Sequence, residues 1–396
     1  MVNYKHFYSL LFAAAATVST SCVDDAYDLS DMDMTVGLNV NELTIPLNVE
    51  EVTLDKILDF ESEQIKKITV DGKKIYVFEE EDDFESSKEI NFNGLGIVGG
   101  NTVITGNIPE YTIEGFEIAK INIAKLPDVL SQDGTNIVLC NPQLYITANN
   151  PLGAYHIKAN TKVELVAKRS GETDRKAVSD LIEIVDETNT YCMAPSIEIP
   201  SYEKFEGYDG ATPVKFNGLI DIFRGNRFPE EIIFNMQDID IPSQTVNNFD
   251  ISKNYGKFTG RYHFFAPIAL GEGSVIYYKE TLDGWMDETL EKLDISKAGV
   301  KADVKSDIPL KITLTARPID EEGNIINNLE SESVVINATS EPQPIDIVIE
   351  GSIKGLDGII LDTKIEGADG RPISPEDKIK FDNFKVTVSG KYVDEL

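Results

Sequence analysis

Ile65-Lys-Lys-Ile-Thr-Val-Asp71-Gly72-Lys-Lys-Ile-Tyr-Val-Phe78 reads as two β-strands about a two-residue turn. On both sides of Asp71-Gly72 the chain favours Ile, Val, Thr and Tyr, whose branched or aromatic side chains suit a pleated surface. Asp-Gly tolerates the left-handed backbone of a tight hairpin turn, so it sets both the reversal and the register.

Working outward, the same period-2 pattern recurs along the 396 residues. In the first half it appears at Thr44-Ile-Pro-Leu, Thr102-Val-Ile-Thr, Phe116 to Ile123, Gln143-Leu-Tyr-Ile-Thr and Lys162-Val-Glu-Leu-Val. In the second half it appears at Glu231-Ile-Ile-Phe, Tyr262-His-Phe-Phe-Ala, Ser274-Val-Ile-Tyr-Tyr and Leu310-Lys-Ile-Thr-Leu, then at Ser333-Val-Val-Ile, Ile345-Asp-Ile-Val-Ile and Phe384-Lys-Val-Thr-Val. Gly, Pro, Asn or Asp break each run. Many short strands separated by turn signals point to sandwiches or barrels rather than alternating β-α units. The expected fold is mainly β, with two or more β-sandwich-like domains and one or two short helices.

The helical signals are Val52 to Phe60, with Leu54, Ile57 and Leu58 on one side, and Leu282 to Leu293. In the latter, Leu282, Trp285, Met286, Leu290 and Leu293 fall near helical spacing, which predicts an amphipathic helix capping a sheet edge or barrel end. Two stretches, Asn141 to Gly153 and Ile308 to Asp320, each run proline, alternating strand, proline turn, then a second strand. That suggests two related β domains, drawn at residues 41–225 and 226–396. The first stretch also resembles the strand-Asn-Pro turn of the β-sandwich in late-embryogenesis-abundant proteins.

The N-terminus carries an address. Met1 to Ser9 is weakly basic, and the apolar run Leu10 to Val18 is about half of the roughly 20 residues that a membrane-crossing helix needs. With the small residues Ser19-Thr20-Ser21 it reads as a signal peptide over residues 1–21. The exit onto Cys22 resembles the lipobox of bacterial lipoproteins, although Ser19 stands where a large aliphatic residue is usual. That resemblance implies a diacylglycerol on the Cys22 thiol and acylation of the new N-terminus. Val23 to Asp33 holds five aspartates in eleven positions and no basic residue, so residues 22–40 read as an extended, hydrated tether. Asp24, Asp25 and Asp28 resemble the acidic export signal of Bacteroidota surface lipoproteins. The partner this implies is the outer membrane, held through several acyl chains, with the protein exposed on the cell surface.

A net charge of -32 argues against nucleic acid or anionic lipid as partners, since both need basic patches. Hydrophobic residues make up 41% of the chain, enough for real cores. Beyond Cys22 stand Cys140 and Cys192, which read either as a disulfide made in an oxidising compartment or as small buried core residues. Neither has the C-x-x-C spacing of a zinc or redox site.

Catalytic motifs are missing. His156 and His263 sit in strand-like surroundings without ligand spacing, and no H-E-x-x-H, G-x-S-x-G or P-loop is present. Gly94-Leu-Gly-Ile-Val-Gly matches a dinucleotide fingerprint letter for letter, but a strand-like run follows where a helix N-terminus is required. It reads as a glycine-rich turn. Glu79-Glu-Glu-Asp-Asp reads as a solvated loop. No metal site, cofactor or enzymatic activity is expected. Tyr202, Phe205 and Tyr208 lie in a polar loop and are the candidate ligand-contacting aromatics, with a staple onto the sheet as their other reading.

The expected function is therefore a non-catalytic outer-membrane surface lipoprotein with a binding or adhesion role, its ligand a glycan or a protein. The alternatives are a structural anchor of a fimbria or outer-membrane complex, a lipid-binding carrier, and a glycoside hydrolase accessory. No basic cleavage site lies between Cys22 and Lys56, where a fimbrial subunit would need one.

Overall fold

The structure, a computed structural model, describes residues 35–46, 51–54, 62–92, 102–123, 130, 134–199, 204–224, 228–284, 293–368 and 370–395. The signal peptide, Cys22, the export-signal aspartates Asp24, Asp25 and Asp28, the Gly94–Gly99 turn, Tyr202 and Trp285 lie outside the described residues. Strands account for 60% of the described residues and helical turns for 4%, and no described helix reaches seven residues. The mainly β, sandwich-like expectation holds.

Strands β1 (Thr35–Pro46) and β2 (Glu51–Thr53) open the chain. The expected hairpin follows as β3 (Ile65–Val70) and β4 (Lys73–Glu85), with Asp71 and Gly72 at φ 48° and 76°. Next come β5 (Val103–Ile108), β6 (Tyr111–Ile113), β7 (Phe116–Asn122), β8 (Gln143–Asn149), β9 (Ala159–Thr161) and β10 (Val163–Lys168). They lead to β11 (Arg175–Ser179), β12 (Ile182–Ile184), β13 (Thr188–Ala194), β14 (Thr212–Asn217), β15 (Glu231–Met236), β16 (Ile239–Ile241), β17 (Gln244–Asp250) and β18 (Thr259–Pro267). The last strands are β19 (Val275–Leu282), β20 (Leu293–Ser306), β21 (Leu310–Ile319), β22 (Val334–Ile336), β23 (Thr339–Ile353), β24 (Gly358–Gly367) and β25 (Lys378–Glu395). Every strand-like run read from the sequence overlaps one of these. The two expected helical stretches begin or end in strands, since β2 covers Val52 and Thr53, Leu282 closes β19 and Leu293 opens β20. Their remainders lie largely outside the described residues.

Two compact units form, and neither is a continuous half of the chain. Among the described residues, the first holds those within Met1–Asp59, Val275–Asp369 and Ser374–Leu396, and the second those within Phe60–Ser274 and Gly370–Ile373. The linear boundary drawn between residues 225 and 226 therefore falls inside the second unit. The reason is strand pairing: β15 lies between β10 and β7, and β18 lies between β4 and β8, so residues 226–274 complete sheets begun upstream.

In the first unit, β1, β25, β20 and β23 form an antiparallel sheet with β2 added to β25, and β19, β24, β21 and β22 form a second sheet. Alternate residues turn inward, as the period of 2 requires. Leu310, Ile312, Leu314 and Ala316 of β21 are buried, as are Ile345, Ile347 and Ile349 of β23. This is a β-sandwich core.

The second unit carries a ten-stranded sheet in the order β3-β4-β18-β8-β13-β14-β11-β10-β15-β7. Its pairs are antiparallel except β13 with β14, which run parallel. A four-stranded sheet, β12-β9-β16-β6, and a β17-β5 ribbon complete the unit. Aromatic rings fill its core: Phe264 of β18 meets Phe78 of β4, Phe234 of β15 and Phe223 at centroid separations of 6.0, 5.4 and 6.2 Å. All four rings are fully buried. The two sequence stretches that looked alike are not equivalent here. β8 pairs with β13 and β18, while β10, which holds the Lys162-Val-Glu-Leu-Val run, pairs with β11 and β15. β21, in contrast, pairs directly with its follower β22.

Glu79 to Asp83 is not a loop, as the sequence reading had it, but the middle of β4. It faces β18 in unbroken antiparallel register from Glu79 against Phe265 to Glu85 against Thr259. The carboxylates find partners there. Arg261 meets Glu81 at 2.8 Å, Lys257 meets Glu85 at 2.6 Å, and Gln64 donates to Glu80 at 2.8 Å.

Gly260 marks the tightest approach in this sheet. A Cβ there would overlap both the Thr147 carbonyl oxygen and the Phe84 ring, and the backbone oxygen cannot move aside. Gly260→Ala is expected to destabilise the protein by about 1–3 kcal/mol through overpacking. A lower urea midpoint with an unchanged slope is the readout, and an unchanged midpoint would refute the crowding.

Candidate functional site

The site begins where the ten-stranded sheet divides. β11 pairs with β14 only at Val178 against Asn217 and Ser179 against Phe216. After Ser179 the chain leaves the sheet to join β9 as β12. The Asp180 N–H makes the last contact, donating to the Lys215 carbonyl at 2.8 Å, and the Asn217 amide donates to Asp180 Oδ1 at 2.9 Å. Thr212 to Val214 is thus paired as a strand with β13 alone, and Pro213 brings no N–H to the open side.

An open groove of about 1320 Å³ occupies this division. Its walls come from Asp180 to Asp186, from β13 and β14, and from the turns around Ile197 and Tyr208. Leu181 and Ile197, 60% and 62% exposed, line it as bare aliphatic side chains. Four carboxylates line it too, from Asp180, Glu183, Asp186 and Asp209, against the single ammonium of Lys215. Glu183 carries an ion pair with Lys158 at 3.1 Å, and Asn189 Oδ1 accepts the N–H groups of Val185 and Asp186 at 3.2 Å. Tyr191 is buried, and its hydroxyl donates to the Glu183 carbonyl at 2.7 Å, tying β13 to β12. Burial pushes the Tyr191 phenol up to about 12.

The loop after β13 folds back over the sheet. Phe205 lies 4.8 Å from the Phe265 ring and 4.3 Å, edge to face, from His263; Tyr208 stacks on Tyr145 at 4.5 Å. Gln143, fully buried, anchors the seam: its Oε1 accepts the Tyr145 hydroxyl at 2.6 Å and the Phe205 N–H at 3.4 Å. The two aromatics therefore serve as the staple that was their other reading. Tyr208 alone also reaches the groove wall.

Cys140 and Cys192 are separate thiols rather than a disulfide. Cys192 faces Tyr145 across β8 in a cluster with Val77 and Phe265, and burial pushes its thiol up. The Cys140 sulfur instead lies against Gly271 and Gly370, where a Cβ on either would come within 2.8 Å of it. His263 is 3% exposed with Nε2 2.8 Å from Glu79 Oε1, a structural contact beneath the loop, whereas His156 is exposed in a left-handed turn. Among the described residues no three His, Cys, Asp or Glu side chains converge to hold a metal, and no helix is long and apolar enough to cross a membrane.

Leu181 and Ile197 went unnoticed in the sequence. The available signal was phase: Leu181 precedes Ile182 and Ile184, the buried positions of β12, so an alternating strand must turn it outward.

No protein family and no curated protein matches this chain. Among solved structures it is similar to a "putative secreted protein" of Parabacteroides distasonis, with a TM-score of 0.60 and 15% identity over 88% of this chain and 99% of that one. The two share a fold. The broad bean stain virus structure (10% identity, 75% of this chain and 92% of that one) and an infectious bursal disease virus structure (12%, 85% and 74%) reach TM-scores of only 0.16 and 0.17 and carry no argument.

The buried phenols give the unit a dependence on alkaline pH. Tyr191 and Tyr262 are both pushed by burial from 10.0 up to about 12. An unfolded tyrosine ionises first, so this stability is complete below about pH 10 and is lost as pH rises toward 12, at about 1.4 kcal/mol per pH unit per phenol. Tyr191→Phe is expected to cost about 1 kcal/mol at neutral pH by removing the bond to Glu183, and to flatten the alkaline fall. Urea midpoints between about pH 8 and about pH 12 test it, and an unaltered slope in the variant would count against it.

Proposed function

We propose that this chain is a non-catalytic binding protein of the bacterial cell surface, lipid-anchored at Cys22, whose ligand lies in the groove between β12 and β14. The observation that carries the reading is the pair of bare aliphatic side chains, Leu181 and Ile197, inside a large open concavity. Exposed single aliphatics are ordinary on protein surfaces, but two in one groove, rimmed by polar residues, suit an interaction site. The fold shared with the Parabacteroides protein fits the lipobox-like Cys22 and the acidic residues behind it. A binding role also suits a groove in which two of the four carboxylates, Asp180 and Glu183, are already engaged by Asn217 and Lys158.

Protease shaving of intact cells, scoring an epitope near Leu396, tests the address. The epitope is expected to vanish from wild-type cells, while Cys22→Ala leaves the protein unanchored. Protection until lysis would overturn surface display. For the groove, glycan and protein arrays probed with wild type and with Leu181→Ser/Ile197→Ser should yield a ligand whose signal falls about tenfold in the double variant. A ligand captured equally by both proteins would remove the groove from the proposal.

A further inference from the structure

We infer that the groove receives an extended, positively charged polypeptide segment of a partner protein, with aliphatic side chains set between its lysines or arginines. The inference rests on the reading of the groove as the binding face and names the class of ligand.

Charge complementarity comes first. Four carboxylates and one ammonium line the groove of a chain whose net charge is -32, so a cationic segment is drawn in and an anionic one repelled. Leu181 and Ile197 then need an apolar counterpart, because burying branched aliphatic surface is favourable only against other apolar surface. Sugars offer their C–H faces best to an open aromatic ring, and Tyr208, which reaches the groove, already lays its ring against Tyr145 at 4.5 Å. An acyl chain needs an enclosed apolar cavity, whereas this groove is open and rimmed by acids.

A polypeptide supplies both kinds of group at strand spacing. Alternate side chains of an extended segment point opposite ways, so cationic groups can meet Asp186 and Asp209 while aliphatic ones turn toward Leu181 and Ile197. The place where it would lie is also where β14, from Thr212 to Val214, keeps β13 as its strand partner but has none from β11.

The experiment uses the full chain in a neutral detergent and a fluorescein-labelled peptide of alternating Lys and Val, which sets the two kinds of side chain on opposite faces when extended, followed by fluorescence polarisation. Saturable binding is expected, weakening with added salt. It should weaken about tenfold in Leu181→Ser/Ile197→Ser and about tenfold in Asp186→Asn/Asp209→Asn. It should not change in Glu321→Gln/Glu322→Gln, which removes the same charge from an exposed turn of the first unit. A peptide of alternating Glu and Val should not bind. Equal weakening by the control pair would reduce the attraction to diffuse charge and overturn the inference. So would absence of binding, or equal binding of the acidic peptide. If an array ligand is lost in the Leu181/Ile197 variant while the cationic peptide stays inert, the polypeptide assignment falls and the groove stands. If that variant keeps every array ligand, the groove reading falls with it.

Discussion

A run of carboxylates can sit inside a sheet only if the neighbouring strand answers it, and β18 does this for β4. Glu79, Glu81, Asp83 and Glu85 share one face by the period of 2, and across from them stand His263 and Arg261, with Lys257 just before β18. Phe78 and Phe84 turn to the other face and join the aromatic core. One strand pairing thus joins a charged ladder to a hydrophobic one. It also sets the floor for everything on the outer face, because Tyr145, His263 and Phe265 are the surfaces on which Phe205 and Tyr208 land.

The groove is a consequence of that staple and of the departure of the chain at Asp180. The loop from β13 must return to form β14, and it does so as a parallel neighbour, which a hairpin turn cannot connect. The connection is accordingly long, and its aromatics pin it to the sheet. Meanwhile Ser179 ends the pairing of β11, its hydroxyl accepting the Val163 N–H at 2.9 Å, and the chain crosses to the smaller sheet. Two segments that diverge from one sheet leave space between them. Tyr191 spans it at depth through its bond to Glu183, so the concavity has a fixed base.

Individual strands were legible because branched residues at period 2, punctuated by Gly, Pro and Asn, have few other uses. The Asp71-Gly72 hairpin came through with its turn intact. Partnership was not legible. The carboxylates of β4 looked like a loop because their partners, Arg261 and His263, lie far along the chain, and no local pattern announces pairing at that distance. The same limit misplaced the division at residue 225, for a strand's period says which face is buried and nothing about which strand lies beside it. Of the site, the loop aromatics were visible by type, with staple and contact both open, and geometry decided for the staple at Phe205. Leu181 was visible only by phase, one residue out of step with Ile182 and Ile184.

Aliphatic side chains gathered in one open groove favour self-association, and the charges around Leu181 and Ile197 work against it. Two copies of this chain meeting groove to groove would bring like-charged rims together within a protein already at -32, and that repulsion opposes the apolar gain. A neutral or cationic visitor meets no such barrier. Under the proposed reading the acids filter what covers the exposed side chains, opposing the protein's own copies and anionic surfaces while leaving the apolar contact available. On the proposed binding role, the acidic composition that first served only to exclude partners becomes, at one place, the feature that selects among them.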